Sequence, residues 1–194
     1  MPIIVPDIET ERLRLRPLCQ SDAAEVTRLV NDFEVARYTA TIPHPYDMKM
    51  AQDFIATPEA APDAASRFLD DPEAAIVLAI ELKDGDRLLG CVGLQKTVDG
   101  PELGYWIGRE YWGYGYASEA AGRLVRLAFE NFALPELIAS AVTVNDASHR
   151  VLEKLGFAVC GTGEIHSRAQ NSHLPVIHRR LKRNDWLRAT GRAA

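Results

Sequence analysis

Between Glu102 and Phe129 the hydrophobic pattern changes its period. Leu103, Tyr105 and Ile107 alternate with Gly104 and Trp106, a run of aromatic and branched side chains that predicts a β-strand. From Ala117 the spacing becomes helical. Ala117, Ala121, Leu124, Val125, Ala128 and Phe132 recur at that spacing, while Glu119, Arg123, Arg126 and Glu130 fall on other faces. Trp112-Gly113-Tyr114-Gly115-Tyr116-Ala117 joins the two, a strand-to-helix turn with small residues where the chain enters the helix.

The same patterning organises the remaining chain. Leu13 and Leu15 alternate with Arg12, Arg14 and Arg16, which predicts an edge strand with its arginines in solvent, ended by Pro17. Ser21 or Asp22 is placed to cap a helix through Ala24, Val26, Leu29 and Val30. A short helical or irregular stretch follows from Phe33 to Tyr38. Pro43 and Pro45 exclude regular helix over Ile42 to Tyr46, and Asp47 is placed to cap a helix carrying Met50, Phe54 and Ile55. Residues 57–74, rich in Ala, Pro and Asp, read as a loop or short helix. Ile76 to Leu82 and Leu88 to Lys96 predict two strands joined at Asp84-Gly85, and a turn at Val98 to Gly100 leads into the central strand.

After Pro135, Leu137 to Val144 predicts a strand parallel to the central one, since a helix separates them. Asn145 is placed to cap a helix from Asp146 to Leu155, stopped by Gly156. Phe157 to Ile165 and Val176 to Lys182 predict a final hairpin with a polar connection over 166–174. The predicted architecture is α/β: a mixed, mostly antiparallel sheet of about seven strands, with helices on both faces and a central parallel pair. The domain is expected over 8–186, with a weakly structured tail over 187–194.

The chain has 194 residues, which suits one domain with a substantial core. Hydrophobic content of 47% and charged content of 25% are those of a soluble globular protein. A net charge of −5 argues against general nucleic-acid binding. No apolar run is long enough to span a bilayer, and the N-terminal pattern lacks a secretion signal. Cys19, Cys91 and Cys160 read as buried small hydrophobes in a reducing, cytoplasmic setting. The five histidines, His44, His149, His166, His173 and His178, lack ligand spacing, which points away from a metal. His178 to Arg183 reads as a solvated charge run.

The Trp112 to Ala117 turn has chemistry as well as shape. Glycine permits positive φ and lets a ligand approach the backbone closely. The first N–H groups of the helix have no intrahelical partner, and the positive end of the dipole adds to them, so the turn suits a phosphate or pyrophosphate. An ordinary strand-to-helix turn fits the same residues. The P-loop pattern is absent, and so is the third glycine of the dinucleotide fingerprint.

With these elements in order, the chain resembles the GNAT N-acetyltransferases, and more narrowly the branch with the ribosomal-protein and spermidine N-acetyltransferases. The resemblance rests on Glu9 to Arg16, Pro43-His44-Pro45-Tyr46, the Trp112 to Ala117 turn, and Asn145 to Phe157. It implies a fold that binds acetyl-coenzyme A and moves its acetyl group to a primary amine, either a protein N-terminus or a small molecule, as a monomer or homodimer. Trp112, Gly113, Tyr114, Gly115, Tyr116 and Ala117 then cradle the pyrophosphate. Tyr114 stands where many members carry Lys or Arg. Backbone N–H groups near Trp106 and Ile107 hold the pantetheine arm and thioester, with a β-bulge there opening the slot, and Asn145 faces that arm.

The chemistry implied has three needs: deprotonation of an amine, polarisation of the thioester carbonyl, and a proton for the departing thiolate. Glu102 is the candidate base, and a solvent-facing glutamate at a strand end is the competing reading. Leu152 occupies the place of the family's tyrosine acid. Ser148, one turn earlier on the same helix face, is the candidate acid or water holder, and a serine satisfying the helix start is the alternative. The missing tyrosine also admits a non-catalytic acyl-coenzyme A sensor.

Overall fold

The computed structural model describes residues 8–71 and 74–192. Residues 1–7, part of the stretch read for a secretion signal, lie outside the described residues, as do 72–73 of the alanine-rich stretch and 193–194 of the tail.

Eight strands form one sheet: β1 (Ile8–Glu9), β2 (Leu13–Arg16), β3 (Ala75–Leu82), β4 (Arg87–Thr97), β5 (Gly100–Ile107), β6 (Glu136–Val142), β7 (Ala158–Ser167) and β8 (Ser172–Lys182). Their order is β1-β2-β3-β4-β5-β6-β8-β7. The strand count exceeds the predicted seven because Ile8–Glu9 pairs with β2 as a short edge strand, so β2 lies inside the sheet rather than at its rim.

All neighbours are antiparallel except β5 and β6, whose parallel pairing is confined to Glu102↔Ile138. The pattern predicted that parallel pair, with α5 (Tyr116–Glu130) as its crossover. The expected bulge in β5 does not occur, because its register with β4 is continuous from Gly100 to Ile107. Irregularities lie instead between Ile80 and Glu81, in the β3–β4 ladder, and between Val159 and Gly161, in the β7–β8 ladder.

Helices cover both faces. On one face α4 (Ala64–Asp70), α5, α6 (Asp146–Lys154) and α7 (Arg183–Ala189) pack on Leu13, Leu15, Leu78, Leu103 and Leu137. On the other, α1 (Ala23–Val30) and α3 (Met48–Ile55) pack on Ala79, Leu88 and Cys91, with α2 (Phe33–Ala36) following α1. The inward stripe of α5 is rich in alanine (Ala120, Ala121, Ala128), which brings its axis close to the sheet before Leu124 and Phe129 fill the remaining space. At Gly122 a Cβ would come within 3.2 Å of Leu155 Cδ2, so the lack of a side chain lets the end of α6 close on α5.

Several expectations are corrected. Arg14 and Arg16 are not a solvated row: both bond the buried Glu81, at 2.9 and 2.6 Å, and Arg16 also holds Asp22. Asp22 stands at the N-cap of α1 as expected, but its side chain bonds none of that helix's amides; it accepts the Cys19 N–H at 2.8 Å, across the 3-10 turn of 20–22. Only Cys91 of the cysteines is buried, while Cys19 and Cys160 are exposed. The charge run is interrupted by Arg179, buried between Phe157 O and Glu153. The final strands run on to Ser167 and from Ser172, so the polar connection shortens. Regular structure continues in α7 to Ala189, past the expected domain end at Trp186, because the Trp186 ring is buried 5.4 Å from Phe129.

The alanine-rich stretch also orders, since α4 inserts the fully buried Phe68 beside Phe132, their rings 5.7 Å apart. Phe68→Ala is expected to lower unfolding stability by about 3–5 kcal/mol through cavity formation. Urea denaturation checks this, and a loss under about 1 kcal/mol would show that α4 does not serve the core.

Candidate active site

The site is built from the divergence of β5 and β6. Beyond Glu102↔Ile138 the two strands run on without pairing to each other. Gly108 N–H bonds Leu89 O at 2.8 Å. By antiparallel alternation Trp106 therefore points its backbone groups at β4, while Tyr105 and Ile107 point theirs into the gap. Of the two residues expected to supply amides, Ile107 is placed to do so and Trp106 is not; Tyr105 is the addition. The Ile107 carbonyl is already engaged, accepting the Trp112 indole N–H at 2.7 Å.

A cavity of about 1200 Å³ opens through this gap. Glu102, Gly104, Tyr105, Ser140, Asn145 and Ser148 all border it. A Cβ at Gly104 would meet nothing within 4 Å, so a side chain there would project into open space along the cavity wall. Toward one end lie Gly113, Gly115, Tyr116 and Ala117; toward the other lie Val30, Ile42, Tyr46 and Phe54.

The glycine turn has the backbone its sequence predicts. Gly113 and Gly115 have φ of 84° and 82°, a region closed to most side chains. Gly115 ends the turn as the helix cap without any side-chain bond to the first amides of α5. Those donors stay available to an anion. Trp112 and Tyr114 are exposed, and Tyr114 stacks on Tyr116 at 5.7 Å.

Arg12 locks this turn from the far end of the chain, and its role was not legible in the sequence. Its guanidinium bonds the Tyr114 carbonyl at 3.0 Å and Glu119 at 2.6–2.7 Å, and lies over the Tyr116 ring at 4.6 Å. Burial alone would raise the Glu119 carboxyl. Hydrogen bonds from Thr10, the Arg12 amide and the Arg12 side chain outweigh it and hold the group below the usual carboxylate range. A depressed carboxyl contributes stability at neutral pH that is lost as pH falls through the depressed value, so this lock weakens only in acid.

Glu102 is half-buried at the point of divergence, and Ser140 Oγ donates to its Oε1 at 2.8 Å. It is thus held, rather than free in solvent. Asn145 caps α6 by accepting the Ser148 amide at 3.1 Å, and it borders the cavity as well.

Ser148 Oγ lies 2.9 Å from the Tyr105 hydroxyl. Burial pushes the Tyr105 phenol up to about 12, against an opposing pull from Ser148, so it stays protonated and able to donate. With Tyr105 donating, the Ser148 proton is free to point into the cavity. Leu152 is fully buried and offers no polar group. Tyr105 read in sequence only as an inward strand residue. The one available signal was that a tyrosine beside a gap needs a partner for its hydroxyl.

The opposite end is closed by long-range contacts. The tip of the β7–β8 hairpin is tied to the chain before Pro43, with Arg168 N–H bonding Ala40 O at 3.0 Å and the Gln170 amide bonding Arg37 O at 2.9 Å. Among the described residues no group of His, Cys, Asp and Glu is arranged to hold a metal.

The acetyltransferase (GNAT) domain family matches residues 12–158. A Bacillus subtilis protein named uncharacterized N-acetyltransferase YoaA is 31% identical over 155 residues, covering 78% of this chain and 82% of its own. Among solved structures, ribosomal-protein-S5-alanine acetyltransferase from Vibrio fischeri superposes with a TM-score of 0.72 at 18% identity, over 92% of this chain and 97% of its own. Mycobacterium smegmatis RimJ in complex with CoA-disulfide gives 0.68 at 20% identity, over 93% and 90%. The divergent central strands, the open helix N-terminus and these matches agree: the chain belongs to the GNAT family of N-acetyltransferases.

Proposed function

We propose that the protein transfers an acetyl group from acetyl-coenzyme A to a primary amine, with both substrates held in the one cavity. The observation that carries this reading is that the Glu102 carboxylate and the Ser148 hydroxyl border the same cavity as the glycine turn of α5. The coenzyme supplies the activated acyl group as a thioester. The residues present fit it: Gly113, Tyr114, Gly115, Tyr116 and Ala117 offer backbone donors to its pyrophosphate, and the gap between β5 and β6 accepts an extended arm beside Asn145.

Glu102 removes the proton that an amine carries at neutral pH, directly or through a water. The Tyr105 and Ile107 amides facing the gap stabilise charge on the reacting carbonyl oxygen. Ser148, backed by Tyr105, donates a hydrogen bond to the leaving thiolate or holds the water that protonates it. The end of the cavity lined by Val30, Ile42, Tyr46 and Phe54 suits an amine on an apolar body, such as a peptide N-terminus or small molecule, and Asp53 beside Phe54 supplies negative charge for the amine. We place the protein in the cytoplasm, where its three unpaired cysteines are stable. A panel of amines identifies the acceptor within that class, and light scattering in solution distinguishes a monomer from a homodimer.

Leu152 in place of a tyrosine favours a second reading, a non-catalytic acyl-coenzyme A sensor. Free-thiol release against a panel of amines and N-terminal peptides separates the two. Glu102→Gln is expected to lower kcat by about a hundredfold, Ser148→Ala by about tenfold and Tyr105→Phe by less. Coenzyme binding without release on any amine would favour the sensor, and unchanged rates in the first two variants would remove the catalytic assignments.

Arg12→Ala is expected to weaken coenzyme A binding about tenfold, because the turn must then be ordered on binding. Titration calorimetry measures it. An unchanged Kd would show that the glycine turn holds its shape without the Arg12 lock.

A further inference from the structure

Behind Glu102 lies a chain of hydrogen bonds that the proposed transfer does not by itself require. Ser140 Oγ donates to Glu102 Oε1 at 2.8 Å and lies 3.0 Å from His178 Nδ1. A hydroxyl has one proton. With that proton committed to the carboxylate, Ser140 can only accept from His178, so His178 carries its proton on Nδ1. The three groups stand on β5, β6 and β8, and Ser140 is directly opposite His178 in the β6–β8 register. Glu102 and Ser140 border the cavity, whereas His178 stands behind them.

The imidazole also has a seat. Gly163 on β7 lies under it, and a Cβ there would come within 2.4 Å of His178 Nε2. Any larger residue would push the ring off Ser140. Arg180, two places along the same face of β8, is paired with Glu136 of β6 at 3.2 Å. The β7 irregularity opposite His178 carries Cys160.

We propose that Ser140 and His178 are positioning residues for Glu102: His178, seated on Gly163, aligns the Ser140 hydroxyl so that it holds Oε1 and leaves Oε2 as the basic atom. This rests on the acetyl-transfer reading above. Ser140 donates to the carboxylate and His178 donates to Ser140, so the ring fixes the direction of the hydroxyl and, through it, the orientation of the carboxylate.

The test is kcat and KM, measured separately, for the wild type, Ser140→Ala, Ser140→Thr, His178→Phe and Gly163→Ala. Ser140→Ala, His178→Phe and Gly163→Ala are expected to lose about tenfold in kcat with KM for acetyl-coenzyme A unchanged, since the carboxylate is no longer held in one orientation, and Ser140→Thr, which keeps the hydroxyl, is expected to retain most of it. Gly163→Ala keeps both polar groups and displaces only the ring, so its agreement with His178→Phe separates alignment from chemistry lost.

A second measurement needs no turnover. The nitrogen NMR spectrum of His178 is expected to show the Nδ1–H tautomer in the wild type and to lose that preference in Ser140→Ala, which offers nothing to accept the Nδ1 proton. Equal kcat in all variants, or a His178 tautomer indifferent to Ser140→Ala, would overturn the proposal. A wild type without amine-dependent turnover would instead overturn the acetyl-transfer reading, leaving the tautomer to decide whether the hydrogen-bond chain exists.

Discussion

The structure depends on one parallel contact that is not continued. Strands β5 and β6 meet at Glu102↔Ile138 and then separate. A sheet interior normally pairs its backbone groups, since unpaired ones are costly when buried. Here the backbone of Tyr105 and Ile107 faces the cavity instead of a neighbouring strand, and the Ile107 carbonyl is taken by the Trp112 indole. The same divergence places Glu102 at the vertex, brings Ser140 beside it, and lets Tyr105 reach Ser148 on α6.

A gap in the centre of a sheet needs the flanks to be rigid. On one side β4 and β5 pair in unbroken register, and on the other β6 pairs with β8 along seven positions. Distant contacts close the ends. Arg12 fastens the glycine turn through Tyr114, Tyr116 and Glu119, and the β7–β8 tip fastens the chain around Ala40. Both devices hold backbone that borders the cavity in place.

The site was partly legible from local pattern. The period change at the glycine turn located α5 and its open amides, because strand and helix spacing differ by residue count alone. Asn145 before a polar-to-apolar helix start signalled a cap, and it is one. Arg12, Tyr105 and His178 could not be found that way. Arg12 reads like any strand-end arginine until the fold carries it against Glu119, and His178 reads as the start of a charge run until β8 lies between β6 and β7. Misreadings had the same origin: the Arg14 and Arg16 row looks solvated unless Glu81 is known to face it across β2 and β3.

What the sequence determined by itself is therefore the central elements, though not β1 or α7, their alternation of faces, and the conformational permission for a tight glycine turn, since these follow from neighbours a few residues apart. Only the tertiary structure decided which polar groups meet. Glu102, Ser140 and His178 converge because of strand order and register, and Tyr105 finds Ser148 because a helix packs over a gap. Such contacts join residues 38 to 43 positions apart, and no local periodicity encodes them.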